Sequence, residues 1–130
     1  MYRAVTHGIE VSVEPYYLDD ESNPEESQYI WAYAVEIRND GDEPVQLKTR
    51  YWKIMDAQGR VEEVRGAGVV GEQPVISPGE TFEYSSGCPL STDSGFMQGS
   101  YVMERQDGTT FDVAIPAFSL DLPDAIRSMN

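Results

Sequence analysis

The sequence predicts an all-β chain folded as an antiparallel β-sandwich. Three observations predict it. Several segments alternate apolar and polar residues with the period of two that marks a half-buried strand. Turn signals built from Gly, Pro, Asn and Asp recur roughly every eight residues, the spacing of short antiparallel strands. No segment sustains an apolar stripe at helical spacing.

The first alternating segment covers residues 8–18, with Ile9, Val11 and Val13 on one face and Glu10, Ser12 and Glu14 on the other. Pro15 removes a ladder donor, which predicts an edge strand or a bulged end. Residues 19–27 are acidic and polar and read as an irregular loop. Residues 28–39 form the richest strand, with Tyr29, Trp31, Tyr33, Val35 and Ile37 sharing the core parity. Asn39, Asp40, Gly41 and Pro44 then make a turn, because Asn and Gly tolerate positive φ and Pro fixes its own.

Residues 45–57 change phase. Val45, Leu47 and Tyr51 are apolar at odd positions, whereas Trp52 and Ile54 take over at even ones. A one-residue shift exchanges the two faces, so a β-bulge is expected near residues 49–52. Residues 56–59 close a hairpin onto a short return strand at 61–64. Pro78-Gly79 predicts a type II turn. Residues 81–85 alternate with Phe82 and Tyr84 inward, and the run 86–89 breaks the strand. Residues 90–95 are a loop. Residues 96–105 place Met97, Gly99, Tyr101 and Met103 on one parity, and Asp107-Gly108 signals a two-residue hairpin. Residues 110–118 return with Phe111, Val113 and Ile115 inward, and a tail over 121–130 docks at most in part.

At 130 residues the chain predicts a single domain, 1–130, with one sizeable core. Nine basic residues face 23 acidic ones, a formal net charge of -14. That balance disfavours phosphate polymers and anionic membranes, so neither a nucleic-acid partner nor membrane insertion is expected. No apolar run approaches the roughly 20 residues of a membrane span. The N-terminus lacks an apolar signal stretch, and Cys88 is the only cysteine, so a reducing, cytoplasmic setting is expected.

Four constellations carry candidate chemistry. Gly66, Gly68 and Gly71 spell G-x-G-x-x-G, but Pro74 and Pro78 deny the helix that a dinucleotide site requires. What survives is an anion or nucleotide site in which Arg65 joins the backbone amides of Gly66, Gly68 and Gly71. Asp19, Asp20, Glu21, Glu25 and Glu26 are the one dense carboxylate cluster for a hard cation, although they lack the spacing and glycine of an EF-hand. One His and one Cys cannot build a usual zinc site; His7 is the only histidine that could activate Cys88 as a nucleophile in a dyad, and nothing singles out a carboxylate pair for acid–base work. No catalytic residue and no cofactor is assigned. Finally, Lys48, Arg50, Trp52 and Lys53 group cations and an aromatic on one strand, a composition suited to a partner-binding hot spot.

Beyond these local readings, the run from Val64-Arg65-Gly66 through Gly68-Val69-Val70-Gly71-Glu72-Gln73-Pro74, with Pro78-Gly79-Glu80, Phe82, Tyr84 and Ser86-Gly87, resembles the ApaG family. So do Asn39 to Leu47, Gly99-x-Tyr101-x-Met103, and the closing Phe111-x-Val113-x-Ile115-Pro116-x-Phe118. The resemblance runs from about residue 8 to residue 120. Position 67 is often proline in that family and is Ala67 here, and Asp93 replaces the proline that often follows Thr92. The resemblance implies an immunoglobulin- or fibronectin-III-like sandwich. It also implies a bacterial protein tied to tolerance of cobalt and magnesium, and a domain that serves eukaryotes as a module within an F-box protein and a DNA-polymerase-interacting protein. A non-enzymatic module that binds a protein partner is the function this suggests.

Overall fold

The computed structural model describes residues 1–123. Nine strands cross this span: β1 (Tyr2–Thr6), β2 (Ile9–Tyr17), β3 (Tyr29–Asn39), β4 (Val45–Asp56), β5 (Val61–Ala67), β6 (Val75–Ile76), β7 (Thr81–Leu90), β8 (Gly95–Arg105) and β9 (Thr110–Leu120). They form two antiparallel sheets, ordered β1-β2-β3-β7 and β5-β4-β8-β9, with β6 also pairing β4. The all-β sandwich is thus borne out, and the inward parities of β2, β3 and β8 are those the alternation predicts. Trp31, Val35, Ile37, Leu47, Met97, Tyr101 and Phe118 meet between the sheets.

Several local expectations need correction. β2 is not an edge strand, because β1 pairs with it from Ile9 to Val13 through a turn at His7 and Gly8. Leu18 N–H donates to Ile30 O at 2.8 Å, so even-numbered residues of β2 face β3. Pro15 therefore turns its missing donor to the other side, just beyond the end of β1, where no ladder bond is lost. The acidic loop is not irregular: Asp19–Glu21 and Pro24–Glu26 are 3-10 turns. Ser22 Oγ braces them, donating to Leu18 O and accepting from Ile30 N.

Asn39 works by its side chain rather than by positive φ. It is the buried last residue of β3, donates to Glu43 O and Ile76 O at 2.8 and 2.9 Å, and accepts from Gly41 N. β7 does not break at 86–89. It is an edge strand, and Pro89 sits opposite Ile30, whose backbone bonds run to β2's side. The missing N–H of Pro89 faces the free edge. The 105–109 hairpin has three loop residues, not two, since Arg105 N–H donates to Thr109 O and only Gly108 is left-handed (φ 86). That geometry is a type I turn with a glycine bulge.

The bulge in β4 falls at Lys48, where the β8 register shifts between Leu47 and Thr49. Trp52 thereby joins Leu47 on the inner face, and Tyr51 turns outward. A second bulge, at residues 116–117 of β9, moves the core parity from Val113 and Ile115 to Phe118 and Leu120. Of the expected tail, Leu122 is buried and Asp121 O accepts from Trp31 Nε1 at 2.9 Å; residues 124–130 lie outside the described residues.

The two sides of the sandwich differ. On one side β1 and β2 pack along β9, and Ala114 N–H donates to Thr6 Oγ1 at 3.2 Å. On the other side β5 and β7 face each other without comparable contact.

Candidate functional site

The bulge at Lys48 organises the glycine stretch. β5 leaves β4 after Ala67, and β6 rejoins the same edge at Val45 and Gln46. Between them the chain makes a small excursion. Lys48 O, turned out by the bulge, accepts from Gly68 N at 2.9 Å and Gln73 Nε2 at 2.8 Å. Val69 and Glu72 exchange both backbone bonds around Val70 and Gly71, whose φ values of 44 and 82 define a type I′ turn. Gly68 is required here: its φ is +63, and a Cβ would lie 2.1 Å from Glu72 O.

Arg50 enters this assembly from below. It pairs with Gly66 across β4 and β5, and its guanidinium lies flat on that residue. A Cβ at position 66 would meet Arg50 Cζ at 2.8 Å. From there Arg50 Nη1 donates to Ala67 O at 3.1 Å and Gly68 O at 2.9 Å. The G-x-G spacing therefore serves a side-chain crossing and a left-handed turn.

The inner face around Arg50 opens into a groove between β5 and β7. One cavity of about 240 Å³ is lined by Arg50, Tyr33, Trp52, Glu62, Val64 and Ser86 among others. A second, of about 260 Å³, continues it past Ile54, Glu62 and Pro89. The far end is closed by Arg60, which donates to Ser91 Oγ at 2.8 Å and to Asp56 Oδ2 at 2.7 Å. Trp52 forms the floor, edge-on to Tyr33 with ring centroids 5.2 Å apart.

The phenol that lines the groove, Tyr33, and two in the core, Tyr84 and Tyr101, are held neutral. Burial raises the pKa of Tyr33, with partial relief from the Ser86 hydroxyl. Tyr84 and Tyr101 share a buried hydroxyl–hydroxyl hydrogen bond, and burial pushes both well up. The Arg50 charge acts on all three, in the opposite sense. Burial, then the Glu62 carboxylate, pushes the Cys88 thiol up to about 12. Such a thiol is almost wholly protonated at neutral pH, the reverse of an activated nucleophile. His7 lies at the β1–β2 turn beside Phe111, by the Asn39 end of β3, whereas Cys88 pairs with Trp31. About 26 Å of extended strand separates those two levels, so the dyad does not form.

The other sequence-predicted groups are only partly brought together. Arg65 points to the outer face, over the Tyr51 ring at 4.6 Å and beside Glu63 at 3.4 Å, away from the excursion. Its place at the glycines is taken by Arg50. The amides of Gly68, Val69 and Glu72 are all committed to backbone or excursion carbonyls. Lys48, Arg50, Trp52 and Lys53 do not share a surface: Trp52 is 3% exposed, Arg50 faces the groove, Lys48 is the bulge residue, and Lys53 pairs with Glu63 on the outer face. Asp19, Asp20, Glu21, Glu25 and Glu26 are all exposed on the two 3-10 turns, and among the described residues no three metal-ligating side chains stand together. Nor is any helix among them long and apolar enough to cross a membrane.

The groove itself escaped sequence reasoning, because it depends on which strands end each sheet. One signal was present: after a bulge, Arg50 shares the parity of Trp52 and Ile54, and a charge on a core face is a flag.

Comparison with known proteins bears on this site. A family model described as the ApaG domain matches residues 19–105. The chain belongs to the ApaG family. It is 62% identical over its full length to Protein ApaG of Brucella anthropi, and 58% to that of Sinorhizobium fredii, covering all of each relative. Among solved structures, a putative ApaA protein from Bordetella pertussis superposes with a TM-score of 0.87 at 50% identity, over 88% of this chain and 94% of that one. The C-terminal domain of wzt, at 14% identity and a TM-score of 0.50, shares the fold alone. The part of the chain that the ApaG domain spans contains β5, β7 and every groove residue named above.

Proposed function

We propose that the chain is a non-enzymatic protein-interaction module that engages its partner along the open side of the sandwich. The observation that carries this is the contrast between the sides: β1 and β9 close one, whereas two free strand edges flank a groove on the other. Free edges are templates for an added strand, and main-chain hydrogen bonds would supply its affinity. Asn39 N–H donates to Glu80 O, so even-numbered residues of β7 face β3, and Glu83, Ser85 and Gly87 direct their backbone groups outward. The cytoplasmic setting and the role in tolerance of cobalt and magnesium come from the sequence and the family resemblance, and enter here as part of the proposal.

Ser85→Pro tests it. This change deletes a donor on the open edge and none toward β3, where Pro89 shows that proline is accommodated. The variant should keep its circular dichroism and melting temperature. It should lose the partner captured by photo-crosslinking from a site in β7, and lose complementation of growth in cobalt. A folded Ser85→Pro protein that retains the same crosslinked partner would sink the reading.

A further inference from the structure

The groove's charges define its occupant more narrowly than its shape does. Arg50 is half-buried, and its hydrogen bonds run from Nη1 alone. A guanidinium carries five N–H donors in a planar fork, so Nε and Nη2 remain to be matched. No carboxylate of the described residues forms an ion pair with it, although the sequence has 23 acidic residues to nine basic ones. In contrast, Arg60 and Arg65 each hold a carboxylate. A half-buried guanidinium beside Trp52 and Tyr33, with two nitrogens not bonded within the chain, is placed to donate a charge-assisted bond to an anionic partner.

Glu62 is the complementary case. It lines both cavities of the groove, and among the described residues it has neither an ion pair nor a side-chain hydrogen bond. It lies on β5 opposite Ile54, four residues before Gly66, which lies opposite Arg50. Four residues of strand separate the two charges by about 13 Å along the groove. Four is also an even spacing, so an extended segment would present residues i and i+4 to the same face.

We infer that the occupant is an extended peptide segment carrying an acidic side chain against Arg50 and a basic one four residues away against Glu62. This rests on the open-side reading above and specifies the partner's chemistry. An acidic segment alone would be repelled by the chain's net charge of -14, and a basic one alone would leave Arg50 unmatched. The pair satisfies both. Arg50's geometry sharpens the choice: Gly66 lets the guanidinium lie flat across β5, so its N–H donors lie along the strand surface, where a side chain of an added strand can meet them.

The test uses the isotope-labelled full chain and a synthetic ten-residue peptide of alternating Thr and Val with Glu at its third position and Lys at its seventh. It is compared with peptides in which Glu or Lys is replaced by Gln. The Glu/Lys peptide should shift the amides of Glu83, Ser85 and Gly87 on β7 and of Glu63 and Arg65 on β5. Replacing its Glu by Gln should weaken binding about tenfold, the scale of one charge-assisted fork, and Arg50→Gln should abolish that difference. Replacing its Lys should weaken binding about threefold, and Glu62→Gln should abolish that smaller difference. Because Arg50 also holds two loop carbonyls, Glu62→Gln, on an exposed residue, keeps the test decisive if Arg50→Gln disturbs the loop. Equal shifts with charged and neutral peptides would overturn the charge inference and leave the open-side reading standing. No shift with any peptide at millimolar concentration would overturn both. Pyrophosphate shifting the Gly66 and Ser86 amides when the peptides do not would replace the peptide with a small anion.

Discussion

Gly66→Ala in combination with Arg50→Ala gives a direct reading of what the glycine stretch is for. A Cβ at position 66 would sit 2.8 Å from Arg50 Cζ, Nη1 and Nη2, well inside contact distance. The obstacle is the far end of a flexible side chain, so the guanidinium yields and the backbone stays. It then loses its bonds to Ala67 O and Gly68 O. At a half-buried site each is worth about 1 kcal/mol, below the usual range for a charged donor because water partly replaces it. Against that loss of about 2 kcal/mol, Gly→Ala recovers about 0.5 kcal/mol by restricting the unfolded chain, since Gly66 is not left-handed. Gly66→Ala alone should therefore destabilise by about 1.5 kcal/mol, and in the Arg50→Ala background it should stabilise by about 0.5 kcal/mol. Urea unfolding followed by Trp31 and Trp52 fluorescence measures both, provided the m-value is unchanged. If Gly66→Ala costs the same in both backgrounds, Arg50 is not what the glycine accommodates, and the account of the motif fails. Gly68→Ala is the contrast: its obstacle is Glu72 O, a backbone atom, and its φ is left-handed, so it should cost about 3 kcal/mol whatever stands at position 50.

Further outcomes follow from single sites. Val70 holds φ 44 in the exposed I′ turn, a poor conformation for a β-branched residue, so Val70→Asn should raise stability by about 1 kcal/mol in the same urea assay. Cys88, with its thiol pushed up to about 12, should react with a thiol reagent at pH 8 on the order of a thousandfold more slowly than in the urea-unfolded chain. Desolvation works against the Asp56 carboxylate, but the Arg60 and Gln58 amides and the Arg60 guanidinium outweigh it and hold its pKa below 3.8. A lowered folded pKa stabilises above the unfolded value and is lost as pH falls through the folded one. The penalty of Asp56→Asn should thus be full at pH 7 and fade below pH 3.8, as urea midpoints across that range would report.

Sequence alone determined the β class, the inward faces of β2, β3 and β8, and the family. Those are local properties: a period of two puts Ile9, Val11 and Val13 on one face in any sheet, and a contiguous motif needs no partner strand to be read. It also required a phase change in β4, since Leu47 and Trp52 cannot both be core without one. Tertiary structure decided where the change falls and what it does. Lys48 is the bulge because β5 and β6 leave and rejoin β4 on either side of it, freeing a carbonyl for Gly68 and Gln73. Likewise, sequence adjacency singles out Arg65 beside the glycines, yet pairing register turns Arg65 out and brings the sequence-distant Arg50 across Gly66. The groove depends on long-range order still more. That β5 and β7 end their sheets on the same side, while β1 and β9 close the other, is a property of strand order. Strand order follows from packing two sheets over one core, which no local window of residues encodes.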